Sequence, residues 1–269
     1  MSLFEGGVAV VTGAASGIGR ATALALANEG CLKIMMGDLS LAGMEETGRL
    51  IVSVKPDAQF QMQLLDISDQ TSVDSFYAAA VRQFGRIDYA ASVAGLAHNA
   101  QPLHEITEAT FDRQYAVNQK GCDIMQAFLC ERAILQQMLK QERRPNTGLR
   151  GSIVVVTSQL AQMTCLGMSA YSATKAGIRG LCRADALDYG PEGIRVNTVG
   201  PGPTTTPLLF QAQNDKYIRQ MEASTPLRRN ACPEDIANAI VWLLSDKSSF
   251  ITGISLIVDG GMGLEVGPD

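Results

Sequence analysis

A tyrosine and a lysine stand four positions apart in the segment SAYSATKAGI, at Tyr171 and Lys175. Residues with this spacing on a helix lie on one face, so the phenol and the ammonium can point into one cleft. A free phenol titrates near about 10, and a neighbouring positive charge favours its ionised form. The pair therefore predicts general acid–base chemistry at a substrate hydroxyl. The alternative is an amphipathic helix with an ordinary tyrosine and a surface lysine.

A glycine-rich loop near the start of the chain indicates a nucleotide site. The segment VAVVTGAASGIG places Gly13, Gly17 and Gly19 between an apolar run and a helical pattern. Glycines without a Cβ let the amides at a helix N-terminus approach a pyrophosphate. The spacing is GxxxGxG rather than GxGxxG. The loop residues Ser16 and Ile18 belong to the same predicted cofactor site.

An acidic residue after the second apolar run indicates which dinucleotide binds. Asp38 follows Gly19 by 19 residues, close to the spacing of about 20 at which an acid hydrogen-bonds the ribose 2′-hydroxyl. A carboxylate would repel a 2′-phosphate, and neither Ser16 nor Leu39 supplies a cation to bind one. The sequence thus predicts NAD(H) rather than NADP(H). The alternative role for Asp38 is N-cap of a helix that begins at Leu41.

The pattern of apolar runs predicts the fold that positions these residues. Short apolar runs alternate with helix-period stretches, which is typical of βαβ units and a parallel sheet. Several runs are apolar on consecutive residues, as in strands covered by helices on both faces. We predict an α/β, Rossmann-type, doubly wound parallel sheet of seven strands in a single domain over residues 1–269. The strand candidates are 8–12, 33–37, 60–66, 87–95, 151–158, 194–200 and 254–260, and the helix candidates are 17–29, 41–54, 69–84, 108–140, 169–189 and 233–245.

Composition excludes several classes of function. A net charge of -5 and a pI near 5.2 disfavour a nucleic-acid partner, which requires a basic face. No apolar run reaches the length of about 18 residues needed for a membrane span. The cysteines form no CxxC pair, and His98 and His104 lack metal-site spacing, so we predict no metal. We expect a cytoplasmic enzyme.

Taken together, TGAASGIG at 12–19 and SAYSATK at 169–175 resemble the short-chain dehydrogenase/reductase family over nearly the whole chain. The resemblance implies an NAD(P)-dependent oxidoreductase with Tyr171 as general acid/base. It further implies that Ser158 hydrogen-bonds the substrate oxygen and that Lys175 also holds the nicotinamide ribose. Asn118, in YAVNQKG, matches the asparagine whose carbonyl holds a water of the proton relay.

The resemblance also extends the predicted cofactor site. Asp66, with Ile67 beside it, looks like the family's adenine-contacting acid. SVAG occupies the place of the family's NNAG, so Ala94 and Gly95 match while Ser92 and Val93 replace two asparagines. GPGPTTTP resembles the segment that wraps the nicotinamide, with its candidate contacts at Pro201, Gly202, Thr204 and Thr206.

The substrate side is predicted to be apolar. Leucine, methionine and phenylalanine supply the large apolar side chains of the segments 159–168 and 207–210. Phe210, Tyr217, Ile218 and Met221 have the spacing of a lid helix within 204–229, and the alternative is that they are core residues of a fixed helix. We expect a medium-sized hydrophobic alcohol or ketone. The alternatives are a non-redox enzyme on the same fold (epimerase, dehydratase or cyclase) and an NAD-binding sensor or scaffold. The resemblance implies a homodimer or homotetramer, while the glycine-rich tail from 259 could reach a neighbouring subunit or remain a free terminus.

Overall fold

The computed structural model describes residues 3–95, 100–107, 124–212 and 214–264. Asn118, His98 and the first part of the helix predicted over 108–140 lie outside these residues. Within them, no helix has both the length and the apolar character needed to cross a membrane.

Seven parallel strands form one sheet in the order β3-β2-β1-β4-β5-β6-β7, which confirms the predicted architecture. The strands are β1 (Val8–Thr12), β2 (Lys33–Asp38), β3 (Gln59–Leu64), β4 (Tyr89–Ser92), β5 (Gly151–Val156), β6 (Ile194–Pro201) and β7 (Ser255–Val258). Strands β1 to β3 extend the sheet in one direction and β4 to β7 in the other, so the strand order reverses between the neighbouring strands β1 and β4. In open parallel sheets this switch point opens a crevice at the carboxyl ends of the strands.

Helices cover both faces of the sheet. The described helices are α1 (Gly17–Asn28), α2 (Leu41–Val54), α3 (Gln70–Phe84), α4 (Ile124–Leu139), α5 (Ser169–Tyr189), α6 (Pro207–Ala212), α7 (Asp215–Ser224) and α8 (Pro233–Leu244). The predicted bounds of α2 and α5 are those observed.

Two hydrophobic cores explain the runs of consecutive apolar residues. Ala9 and Val11 of β1 face a core shared with α1, α2 and α8, whereas Val10 faces a core shared with α3, α4 and α5. All five residues of β1 are buried. Because neither face of the strand meets water, both faces carry apolar side chains.

Several predicted strands are longer than the observed ones, among them the third, predicted over 60–66, the fifth, predicted over 151–158, and the seventh, predicted over 254–260. Two further differences have a visible cause. The fourth strand was predicted over 87–95 but ends at Ser92, because the next two amides, of Val93 and Ala94, bind the Thr12 side chain instead of extending the ladder. The single lid helix is wrong: the segment forms α6 and α7. The Asn214 side chain accepts from the Tyr217 amide and so begins a new helix at Asp215.

Candidate active site

The tyrosine and lysine lie together in the first turns of α5. Lys175 is only 4% exposed, and its Nζ lies 5.5 Å from the centroid of the Tyr171 ring. An ammonium at this distance from the face of an aromatic ring is attracted to it. The interpretation of Lys175 as a surface lysine is therefore wrong, while Tyr171 remains half-buried and partly open to solvent.

Ser158 follows β5 and begins a short 3-10 turn, Gln159–Ala161, that contacts α5. Its side chain is buried, and its Oγ accepts a hydrogen bond from the Leu160 amide at 3.1 Å. A hydroxyl has one hydrogen to donate and two lone pairs. Since the amide uses a lone pair, the hydrogen is left to donate to another group.

The glycine loop is closely packed against the end of β4. Gly13 has a φ of +72°, and a Cβ there would lie 2.9 Å from the Ala94 Cα. At Gly19, a Cβ would lie 2.0 Å from the carbonyl oxygen of Gly13. Any side chain at either position would displace backbone, so the sequence requires glycine.

Contacts bring other predicted cofactor residues to this loop. A Cβ at Gly17 would lie 3.1 Å from the Thr206 Cγ2, and a Cβ at Gly95 would lie 3.8 Å from the Lys175 Nζ. The glycine loop, the residues after β4, the segment after β6 and α5 thus line one crevice. The cradle left by the glycines, at the N-terminus of the 12-residue helix α1, fits a dinucleotide pyrophosphate.

Thr12 is a site residue that sequence reasoning missed. Its Oγ1 accepts hydrogen bonds from the Val93 amide at 3.1 Å and the Ala94 amide at 3.2 Å. The backbone approach to the cofactor is therefore held from β1 and needs no asparagine at Val93. Within the described residues, the buried Ser92 Oγ has no hydrogen-bond partner. The position of Thr12 directly before the glycine motif is the sequence feature that could have indicated this role.

Asp38 connects the second strand to the glycine loop. Its Oδ2 accepts from the Ala15 amide and its Oδ1 from the Ser40 amide, each at 3.0 Å. The N-cap of α2 is Ser40, whose Oγ accepts from the Gly43 amide. The N-cap interpretation of Asp38 is thus wrong, and its charge lies beside the loop.

Arg20 and Thr47 support the loop from behind, and neither was predicted. The Arg20 guanidinium donates to the Ala15 carbonyl and to Thr47 Oγ1, the latter at 3.1 Å. Thr47 Oγ1 in turn donates to the Ala14 carbonyl at 2.8 Å. Arg20, directly after the glycine motif, is a cation that binds the protein's own loop.

The remaining cofactor candidates lie at the same edge of the sheet but face different surroundings. Exposed Asp66 follows β3, and its Oδ1 accepts from the Ser68 amide and hydroxyl. Ile67 packs against a core cluster, Leu39 is largely exposed, and Ile18 packs against the other core. Exposed Ser16 precedes α1.

The segment after β6 runs past the Ser158 loop into α6. The Gly202 amide donates to the Val258 carbonyl at 2.9 Å, and the buried Thr204 Oγ1 donates to the Gly202 carbonyl at 2.9 Å. Thr206 Oγ1 accepts from the Leu209 amide. The segment that follows Pro201, the last residue of β6, is therefore held in place by hydrogen bonds of its own residues.

Apolar side chains of the predicted substrate side are largely exposed. In α6, Phe210 is 55% exposed, and in the loop after β5, Leu166 is 95% exposed. In α7, Ile218 is buried while Tyr217 remains open. The described residues contain no group of three or more His, Cys, Asp or Glu that could hold a metal.

Comparisons with known proteins agree with this geometry. A family model described as enoyl-(acyl carrier protein) reductase matches residues 13–263. A short-chain dehydrogenase/reductase of Aspergillus oryzae is 36% identical over 97% of this chain and 96% of its own. Cis-4-hydroxycyclohexanecarboxylate dehydrogenase of Sinomonas cyclohexanicum is 37% identical over 94% of this chain and 95% of its own. The crystal structure of levodione reductase superposes with a TM-score of 0.85 at 31% identity, covering 94% of this chain and 96% of the other.

The chain belongs to the short-chain dehydrogenase/reductase family. It is an oxidoreductase of that family, whose members use NAD(P)(H). Asn118 lies outside the described residues, so its role stays a prediction.

Proposed function

We propose that the protein interconverts a secondary alcohol and a ketone with NAD(H), on a medium-sized and largely hydrophobic substrate, with Tyr171 as general acid/base. The observation that carries this proposal is the buried Lys175 ammonium beside the Tyr171 ring, within reach of Gly95 and the glycine crevice. An ammonium in this place stabilises phenolate and can also contact a bound ribose.

A nicotinamide held by the glycine crevice and Lys175 would supply a hydride acceptor for oxidation of the carbinol carbon and a hydride donor for reduction of the carbonyl carbon. In oxidation, the Tyr171 phenolate takes the proton of the substrate hydroxyl, and the carbon–oxygen bond becomes a carbonyl. In reduction, the Tyr171 phenol donates that proton to the forming alkoxide. Because the Ser158 oxygen accepts from the Leu160 amide, its hydroxyl hydrogen is free to donate to the substrate oxygen and to stabilise the charge that develops there.

Asp38 supports a preference for NAD(H). Both of its oxygens accept backbone amides, which fix the carboxylate at the edge of the crevice. A 2′-phosphate at this edge would meet a like charge. Arg20, the cation directly after the glycine motif, already donates to the Ala15 carbonyl of the loop and to the Gly43 carbonyl of α2.

The proposed substrate class rests on the uncovered apolar side chains of α6 and of the loop after β5. Apolar surface beside a polar catalytic centre is typical of small-molecule sites. One relative is named for a hydroxycyclohexanecarboxylate and a structural neighbour for levodione. The first substrates to offer are therefore ring alcohols and ring ketones.

The test follows the absorbance of reduced nicotinamide with purified protein. NAD and NADP are offered separately with a panel of hydrophobic secondary alcohols, and Tyr171→Phe is the control. The expected result is reduction of NAD that the variant does not perform. Binding of nucleotide without turnover on a broad panel of alcohols and ketones would contradict the proposal and favour non-redox chemistry or NAD sensing.

We also propose that the protein is a homodimer or homotetramer. Large apolar side chains stand exposed on α5 at Leu187, on α8 at Trp242 and before β7 at Phe250. Pairing through such surfaces would bury them. Light scattering on the eluting protein should give at least twice the chain mass, and a monomer at micromolar concentration would contradict this proposal.

A further inference from the structure

Residues 259–264, called the C-terminal strap below, lie between two parts of the site that are distant in sequence. The Gly260 carbonyl accepts from the Leu227 amide at 3.3 Å, at the end of the lid. On the other side, the Gln159 side-chain amide contacts the Met262 sulfur at 3.5 Å. Gln159 directly follows Ser158. The strap therefore touches both the lid and the catalytic loop.

The strap packs so closely against its neighbours that its glycines leave no room for a Cβ. A Cβ at Gly260 would lie 2.8 Å from the Thr225 Cγ2, and one at Gly263 would lie 3.0 Å from the Met163 Sδ. A Cβ at Gly202, in the segment predicted to wrap the nicotinamide, would lie 2.7 Å from the Asp259 Cα. Side chains at these positions would push the strap off its neighbours.

Asp259 holds the strap in its bent form. Its Oδ1 accepts from the Gly261 amide at 2.9 Å and its Oδ2 from the Gly263 amide at 2.8 Å. Hydrogen bonds from amides to a carboxylate are stronger than neutral ones. The carboxylate thus fixes the backbone that reaches Gly260 on the lid side and Met262 on the catalytic side.

Gln159 is the point where the strap meets the catalytic loop. Its side chain is buried, and its Oε1 has no hydrogen-bond partner among the described residues. The Met163 amide donates to the Gln159 carbonyl. Movement of Met262 would therefore be transmitted to a buried residue next to Ser158.

We propose that the strap is a positioning element that couples the lid to the catalytic serine loop, with Asp259 as the positioning residue. This inference rests on the proposed function for its kinetic effect. Release of the strap frees the end of the lid at 225–227, so substrate is held less well. The part of the cofactor crevice built from β1, β2 and β4 keeps its own contacts, and Gly202 keeps its hydrogen bond to the Val258 carbonyl, which lies outside the strap.

The experiment compares Asp259→Asn with Asp69→Asn. Asp69 is the matched control because each of its oxygens also accepts a backbone amide, from Thr71 and Ser72, at the start of α3. Asp259→Asn should raise KM for the ketone about tenfold, the effect of losing a charge-assisted hydrogen bond. KM for NADH should change less than about twofold. Asp69→Asn should leave KM for the ketone unchanged.

A second measurement does not depend on turnover. Lys216 and Arg219 are exposed on α7, so trypsin cleavage there, followed by mass spectrometry, reports how often the lid opens. Cleavage at these sites should rise at least about fivefold in Asp259→Asn and stay unchanged in Asp69→Asn.

The two readouts separate failure of this inference from failure of the proposed function. Faster cleavage in a protein that reduces no ketone would support the strap and contradict the function. Unchanged cleavage in Asp259→Asn would overturn the strap. Equal rises in KM for ketone and for NADH would also overturn it, because the strap would then act on the whole site.

Discussion

The predicted cofactor side and the proposed substrate side of the crevice are built in different ways. On the cofactor side, the backbone itself is held in place, as at Gly13 against Ala94 and at Val93, whose amide donates to Thr12 Oγ1. On the substrate side, the apolar side chains of α6 stay uncovered, and α7 contributes one buried residue, Ile218. A rigid half can bind one common ligand, whereas a loosely covered half can accept a variable one.

The contrast has a physical cause. A pyrophosphate requires amides at fixed positions, and only glycine allows the necessary approach of backbone to ligand. A hydrophobic substrate requires apolar area, which many side chains supply equally well. Changes on the cofactor side should therefore alter nucleotide binding, and changes on the substrate side should alter KM for the ketone.

The largest effect is expected at Tyr171, where the two sides meet. Tyr171→Phe removes the proton donor but keeps the ring beside Lys175. We expect kcat to fall by about 10³-fold, within the range of general acid–base catalysis. The dissociation constant for NADH, followed by its fluorescence, should change less than about twofold. Substantial activity in the variant would show that another group transfers the proton.

The second effect is expected at Gly13, on the rigid side. Gly13→Ala places a Cβ 2.9 Å from the Ala94 Cα at a φ of +72°. We expect the free energy of unfolding to fall by about 1–3 kcal/mol, with a weaker affinity for NADH. Thermal denaturation with and without NADH measures both effects.

Gly85→Ala is the matched control for that change. Gly85 also has a positive φ, of +83°, but a Cβ there has no neighbour within 4 Å among the described residues. Gly85→Ala should therefore lower the free energy of unfolding through backbone strain but leave the affinity for NADH unchanged. If both variants lost NADH affinity equally, the close contact between Gly13 and Ala94 would not be what holds the cofactor site.

A smaller effect is expected at Asp38, which sets the choice of cofactor. Asp38→Asn removes a charge that would repel a 2′-phosphate. We expect the ratio of kcat/KM for NADP to that for NAD to rise about tenfold, since like charges about 4 Å apart repel by about 1–4 kcal/mol. Ser40→Ala, which removes the N-cap of α2, should lower stability without changing this ratio. An unchanged ratio in Asp38→Asn would contradict the selector role.

Sequence reasoning succeeded where a residue type had a single physical explanation. The glycine loop, the strands of consecutive apolar residues and the bounds of α5 were predictable, because backbone approach and burial restrict the choice of residue. Thr12, Arg20 and Thr47 were missed, since their hydrogen bonds join residues far apart in sequence. The break between α6 and α7 was missed because apolar spacing alone does not show where a cap begins a new helix.

The smallest effect is expected at Phe210, on the open side of the crevice. Phe210→Ala removes an apolar side chain that a substrate would cover, so KM for a ring ketone should rise about fivefold, from roughly 1 kcal/mol of lost burial. Val54→Ala, which shortens a 47% exposed side chain at the far end of α2, should leave this KM unchanged. KM for NADH should stay constant in both variants, because the residue of this segment that lies against Gly17 is Thr206, which precedes α6. A larger change in KM for NADH than for the ketone would mean that the two sides are not separate, and that α6 closes on the cofactor first.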